Sequence, residues 1–330
     1  MGDLVLGIET SCDDTSVALV DQNGQIAAIE TVSQYEVHSE FGGVYPELAS
    51  RAHLEAILPT IETVMAQAGA GRLDLRAMGV TRGPGLMGSL LVGLSTAQAL
   101  SMAWDLPCYG INHLRGHIRS VDLEEKRLTY PALIMLVSGG HTLLAYLEDQ
   151  HSYELLGTTR DDSVGECYDK VARTLGLEMP GGPAIDRMAA SGRARIKFPR
   201  PMIQSGYEFS FSGLKSSVAR YVETHPDYVI DDVAASFVEA CLDVLGAKLR
   251  RAIAQKAPAA LAVVGGVAAS RQLRARMQQI SEETGVSLCL PPQKWATDNA
   301  AMIALATWDY ISDGAPQDLE PKPNLRLTDA

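Results

Sequence analysis

The chain has 330 residues, 46 % hydrophobic and 21 % charged, the balance of an ordinary globular enzyme rather than of a disordered or fibrous protein. Its net charge of −12 argues against broad, sequence-independent attraction to nucleic acid, and 6 % aromatic residues against a base-stacking platform. Five scattered cysteines (Cys12, Cys108, Cys167, Cys241 and Cys289), odd in number and without a CxxC pair, exclude a disulfide framework and a structural zinc knot. The first residues enter an apolar run without a basic leader. The longest apolar run, residues 259–269, holds two glycines and is too short to span a bilayer. A cytoplasmic protein with no membrane contact is expected.

In chain order, Leu4 to Ile8, Val17 to Val20 and Ile26 to Val32 read as three strands, with Asn23-Gly24 as a hairpin turn. The polar segment from Glu9 to Ser16 forms the first bend. Pro46 opens a helix through Ala68 with a kink expected at Pro59, and Gly69 to Gly71 end it. A strand at Met78 to Thr81 leads through Gly83-Pro-Gly-Leu-Met-Gly88 into a helix ending near Trp104. A strand at Cys108 to Ile111 then delivers the run His113-Leu-Arg-Gly-His117.

Around Tyr130 the pattern restarts. Leu133 to Val137, Leu143 to Tyr146 and Tyr153 to Thr158 repeat the strand, polar bend, strand, strand order. Helices are expected near 167–175, 184–190, 233–254 and 270–283, strands at 261–264 and 287–290, and a last helix opening at Asp298. A length long for one core and short for three supports a duplicated α/β unit, with lobes at 1–125 and 126–330 around a central cleft.

His113 and His117, four apart on a helix, share one face and can close on a single metal ion; two surface histidines that bind nothing is the alternative. Asp298 fits either a favourable first-turn acid or the carboxylate of a two-histidine, one-carboxylate metal site. Asp13 and Asp14 suit proton acceptance or metal-water contacts, or are plain turn acids. Ser138-Gly139-Gly140-His-Thr142 is either a phosphate cradle or a type I′ Gly-Gly hairpin. Gly265-Gly266 running into a helix at Ser270 suits a nucleotide, without the spacing of a P-loop or Rossmann fingerprint, or is a glycine-containing strand end packed under a helix. Asp169 and Asp186, on either side of a glycine turn, suit ribose hydroxyls or stand as solvated helix-end acids. The basic run Arg193 to Arg200, four cations in eight residues, is a solvated loop or a phosphate contact.

Together these stretches resemble the universal tRNA threonylcarbamoyladenosine family, the threonylcarbamoyltransferases once called O-sialoglycoprotein endopeptidases. The resemblance rests on Gly7-Ile-Glu-Thr-Ser-Cys-Asp-Asp-Thr15, Phe41 to Arg51, Gly83 to Gly88, the His113/His117 pair and Leu136 to Thr142. Further matches are Gly165 to Lys170, Phe209-Ser-Phe-Ser-Gly-Leu-Lys215, Gly265 to Ala269 and Thr297-Asp-Asn299, all in the family's order.

The resemblance implies a duplicated actin-like, heat-shock-chaperone-like ATPase fold. It implies transfer of a threonylcarbamoyl group from threonylcarbamoyl-adenylate to the N6 amine of the tRNA adenosine just 3′ of the anticodon. Carried over by motif, His113, His117 and Asp298 would hold a divalent metal, iron or zinc in relatives, with magnesium as a further option. Leu136, Val137, Ser138, Gly139, Gly140, Asp169, Gly182, Asp186 and Ser270 would hold the adenylate, or ATP or ADP. Asp13 and Asp14 would line the reaction side. Expected partners are tRNA, a paralogous scaffold subunit and a small P-loop ATPase. The family loop usually ends in Asn; Ser270 stands there, with a shorter reach. The rivals are a metalloprotease, a non-catalytic scaffold paralogue and a sugar-kinase-type phosphotransferase on the same fold, which should turn over ATP with a sugar. The first lacks the zincin HExxH, with Leu114 where its glutamate would stand, and the second would not need His113, His117 and Asp298.

Overall fold

A computed structural model describes residues 2–39, 43–125, 128–314 and 318–329. Phe41 and Gly42 of the 41–51 motif lie outside the described residues, as does position 126 of the expected lobe boundary. The chain divides into two compact units, residues 1–127 with 298–330, and residues 128–297.

In the first unit β1 (Leu4–Glu9), β2 (Asp14–Asp21) and β3 (Ile26–Ser33) form an antiparallel meander. Gly24 turns its hairpin at φ +81°, a conformation open to glycine at little cost. After α1 (Tyr35–Ser39), α2 (Pro46–Ala68) starts on Pro46, whose missing N–H is harmless in a first turn. It runs as one helix through Pro59 and ends at Gly69 in the left-handed region. Next come β4 (Leu75–Gly83), α3 (Met87–Trp104), β5 (Cys108–Asn112) and the short α4 (His113–Arg119). The sheet order is β3-β2-β1-β4-β5, with β4 parallel to both β1 and β5.

The second unit repeats this plan with β6 (Ala132–Val137), β7 (Thr142–Leu147) and β8 (Tyr153–Thr158). Helices α5 (Val164–Thr174), α6 (Gly181–Ser191), α7 (Ser212–Thr224) and α8 (Ile230–Lys256) precede β9 (Ala260–Val264), α9 (Arg271–Thr284) and β10 (Ser287–Cys289). Its sheet order, β10-β9-β6-β7-β8, is that of the first sheet read from the other edge. Helix α7 has no counterpart among the sequence expectations. The Phe-Ser-Phe-Ser motif starts it: Phe209 and Phe211 are fully buried, while Asp161 accepts from Ser210 Oγ, Phe211 N and Ser212 Oγ.

The last helix, α10 (Ala300–Ser312), returns to the first unit, where it packs on β1, β2 and β4. Its buried run Ala300 to Thr307 covers that sheet, and Gly7 is required because a Cβ there would collide with the Ala300 carbonyl. Residues 298–330 therefore pack with the first unit, whereas a single cut at 125/126 assigns them to the second. Among the described residues no helix is long and apolar enough to cross a membrane.

Candidate metal centre and glycine-lined site

The carboxyl ends of β1, β4 and β5 are neighbours, because Ile8 pairs with Val80 and Thr81 with Ile111. That alignment sets Glu9, Thr81 and His113 side by side. Thr81 Oγ1 donates to Glu9 Oε2 at 2.6 Å, His113 Nδ1 stands 2.8 Å from the same oxygen, and Ser11 N donates to Oε1 at 2.6 Å. Asn112 caps α4 by accepting from Leu114 N, a contact worth about 1 kcal/mol. One helical turn on, His117 is fully buried with its ring centroid 4.6 Å from that of His113.

Asp298 reaches this pair from the segment before α10. Asn299, not Asp298, caps that helix through Met302 N, so the first-turn-acid reading of Asp298 does not hold. Its Oδ1 stands 3.6 Å from His113 Nε2 and 3.1 Å from His117 Nε2. Burial opposes charge on Glu9, but the charge and hydrogen bond of His113 prevail and hold its carboxyl below the ordinary value. In the same way burial disfavours a charged His113, yet Glu9 and Asp298 raise it well above its usual value. Burial likewise opposes charge on Asp298, while His113 and His117 hold it well below the carboxylate range. Two carboxylates bracketing the imidazoles thus call for positive charge among them.

A metal ion fits that demand. Neither ring nitrogen of His117 makes a hydrogen bond among the described residues, and leaving such buried atoms unsatisfied costs about 1–3 kcal/mol each. The ligand atoms of His113, His117 and Asp298 lie within 4.8 Å of one another. The two Nε2–Oδ1 separations bracket the roughly 3.4 Å between ligands held tetrahedrally at about 2.1 Å from one ion.

Asp13 and Asp14 occupy the β1–β2 bend nearby. His53, fully buried on α2, stands with Nε2 3.0 Å from the Cys12 carbonyl and Nδ1 2.7 Å from Thr15 Oγ1, which anchors that bend. Burial, with Asp13 and Asp298 adding like charge, pushes the Asp14 carboxyl up.

All of the expected nucleotide residues lie in the second unit. Leu136 and Val137 are buried strand residues, so only their backbone can face a ligand. The bend from Ser138 to His141 is a four-residue loop in which neither glycine has a positive φ, unlike a type I′ turn. Added Cβ atoms at Gly139, Gly140 and Gly182 would meet nothing, so the fold leaves open space at all three. Ser163 caps α5 and ties the bend by donating to the Gly139 carbonyl at 2.5 Å. The Val137 carbonyl packs against Gly265, whose φ of +93° and close approach exclude a side chain. Asp169 accepts from Gly181 N at 2.9 Å; burial nonetheless pushes its carboxyl up. Ser270 caps α9 through Leu273 N, and burial pushes the Asp186 carboxyl up. The start of α5 thus abuts the open bend, a favourable place for an anion. In the basic run, Arg200 pairs with Asp243 and Arg195 faces Asp232, while Arg193 and Lys197 are exposed.

A family model described as tRNA N6-adenosine threonylcarbamoyltransferase matches residues 25–305. A Staphylococcus haemolyticus protein with that name is 44 % identical over 334 residues, covering 99 % of this chain and 97 % of that protein. The chain belongs to this family. Among solved structures, T. kodakarensis HypF is similar at TM-score 0.67 and 14 % identity, over 97 % of this chain and 49 % of its own. The activator of 2-hydroxyisocaproyl-CoA dehydratase from Clostridium difficile, with bound ADPNP, is similar at TM-score 0.56 and 16 % identity, over 94 % and 96 %. These likenesses show the fold: the chain has the duplicated actin-like ATPase architecture.

In this threonylcarbamoyltransferase-family chain, sequence reasoning passed over Glu9, Thr81 and His53. An acid closing an apolar strand was the available signal for Glu9, since ligands gather at strand carboxyl ends. Arg115, between the two histidines, faces away from the metal site. Its guanidinium donates to the carbonyls of Leu327 at 3.4 Å and Asp329 at 3.0 Å, pinning the C-terminal segment to α4.

Proposed function

We propose that this chain transfers a threonylcarbamoyl group from threonylcarbamoyl-adenylate to the N6 amine of the tRNA adenosine 3′ of the anticodon. The convergence of His113, His117 and Asp298 on one point, with His117 lacking any other partner among the described residues, carries the reading. A divalent ion held there, iron or zinc by its two-imidazole, one-carboxylate set, would supply Lewis acidity and a template for substrate oxygens. The open bend Ser138 to Gly140, with Gly182 and the start of α5, would hold the adenylate phosphate, and Asp186, Asp169 and Ser270 its sugar side. ADPNP bound to the same fold in the dehydratase activator supports a nucleotide there. The mixed anhydride already has a good leaving group, so orientation and charge stabilisation are the main tasks. Asp14, with its raised carboxyl, suits the role of accepting the proton the attacking amine loses, with Asp13 beside it.

Each compact unit would correspond to one actin-like lobe. Leu54 and Leu58 on α2, with Met87 and Leu91 on the packed neighbour α3, leave an exposed apolar stripe that a paralogous subunit would cover. A small P-loop ATPase would complete a cytoplasmic assembly acting on tRNA. The test is nucleoside mass spectrometry of tRNA incubated with preformed threonylcarbamoyl-adenylate, the chain and those partners, with and without a chelator. Metal-dependent appearance of threonylcarbamoyladenosine is expected. Full yield after chelation would overturn the metal's part, and no modified nucleoside under any condition would overturn the transfer itself.

A further inference from the structure

We infer that Glu9 is a positioning residue for the metal centre: by accepting the Nδ1–H of His113 it presents Nε2 to the cation. The inference rests on the metal reading above. An imidazole coordinates through a nitrogen that carries no proton, so which nitrogen holds the proton decides whether His113 can ligate. Nε2 faces Asp298 and Nδ1 faces Glu9 at 2.8 Å, so the productive tautomer carries its proton on Nδ1.

The carboxylate is built to impose that tautomer. Glu9 is 1 % exposed, and both of its oxygens are engaged. Oε1 accepts from Ser11 N, and Oε2 accepts from Thr81 Oγ1 as well as from His113. Thr81 and Ser11 hold the carboxylate still, so it acts on the ring as a fixed acceptor. The fold places it by register alone, since β1, β4 and β5 end side by side. The first sheet thus supplies the support for one ligand, and its α4 supplies two ligands. Glutamine has the same shape but carries one NH₂. At the Oε2 position that NH₂ would donate to Nδ1 and move the ring proton to Nε2, where it blocks the cation. At the Oε1 position it would set two donors against each other at Ser11 N–H, leaving a neutral and poorly held oxygen toward His113. Either way the fixed, charged acceptor is lost.

The test is zinc titration of the full, metal-stripped chain against a chromophoric chelator, comparing wild type, Glu9→Gln, Thr81→Val and His113→Ala, with thermal melting of each. One zinc per wild-type chain is expected, lost in His113→Ala. Glu9→Gln should weaken zinc binding by about 10–100-fold. Thr81→Val, which keeps the carboxylate and removes one restraint, should weaken it by less. Long-range ¹H–¹⁵N spectra of the zinc-loaded wild type should show the His113 proton on Nδ1. Wild-type affinity in a folded Glu9→Gln chain overturns the inference while leaving the metal site standing. If Glu9→Gln does not fold, wild-type affinity in Thr81→Val together with an Nε2 proton on His113 overturns it. Zinc binding that survives His113→Ala unchanged overturns the metal reading and the role of Glu9 with it.

Discussion

The two sheets share strand order and strand direction, yet the equivalent bends carry opposite chemistry. After β1 the chain places a buried acid, Glu9, and then Asp13 and Asp14. After β6 it places Ser138 and two exposed glycines with open space around them. After β5 it enters a helix bearing two imidazoles, and after β10 it runs into Pro291-Pro292 with no histidine. A duplicated backbone provides the same places twice, at the carboxyl ends of parallel strands. The side chains then decide that one set concentrates charge and the other leaves room.

Removing a proposed metal ligand is the most severe way to probe that difference. His117→Ala should abolish metal binding and lower threonylcarbamoyl transfer on the order of 10²-fold or more, the loss of about 3 kcal/mol or more of charge stabilisation. Nucleotide affinity of the second unit should stay unchanged. Metal content by elemental analysis, with ATP titration alongside, checks both halves. Loss of ATP binding together with metal would break the contrast.

The glycines of the second unit divide into two kinds. Gly140→Val adds side-chain atoms where the fold leaves open space, so the melting temperature should hold while ATP affinity falls about tenfold or more. Gly165→Ala drives a Cβ to 2.5 Å from the Ser138 carbonyl and should destabilise by about 1–3 kcal/mol. Calorimetric melting paired with ATP titration separates the outcomes. A stability loss in Gly140→Val would make that glycine a folding requirement rather than a ligand space.

The same contrast explains what could be read from the residues alone. The order of the strands and the likeness of the two halves followed from apolar runs and turn residues, which act locally. The histidine pair was visible because a helix fixes its spacing. Glu9 was not recognised, since its partners Thr81 and His113 are 72 and 104 positions away and meet only through strand register. Asp298 belongs to the first unit because α10 closes back on that sheet, a long-range packing preference no local pattern encodes. Helix α7 escaped because its start depends on a remote acid, Asp161, rather than on a capping residue of its own.

Carboxylates in the two units should also answer pH with opposite sign. Asp14 is raised by burial and by its like-charged neighbours, so the native state binds its proton more tightly than the unfolded chain does. Its contribution is favourable below about pH 4 and declines as pH rises through the higher folded value. Asp14→Asn should therefore raise the melting temperature at pH 7 while lowering transfer. Burial also opposes charge on Asp161, but Ser210, the Phe211 amide and Ser212 prevail and lower it. Its contribution is present above about pH 4 and is lost as pH falls through the lower folded value. Asp161→Asn should lower the melting temperature at pH 7 and flatten the acid limb. Melting curves from pH 3 to 8 check both, and a shift of the same sign in the two variants would break the contrast.

The smallest expected effect concerns Ser270, at the start of α9. Serine and asparagine are about equally good at a helix start, so Ser270→Asn should leave stability within about 0.5 kcal/mol. A carboxamide at this position extends its oxygen further than the hydroxyl and adds two N–H donors. If the position acts on the nucleotide, Ser270→Asn should tighten ATP binding severalfold without moving the melting temperature. If Ser270 serves only as a helix cap, affinity should not change. ATP titration of the two chains under identical salt distinguishes these outcomes. An unchanged value would place the second unit's selectivity in the open bend and Gly182 rather than at the start of α9.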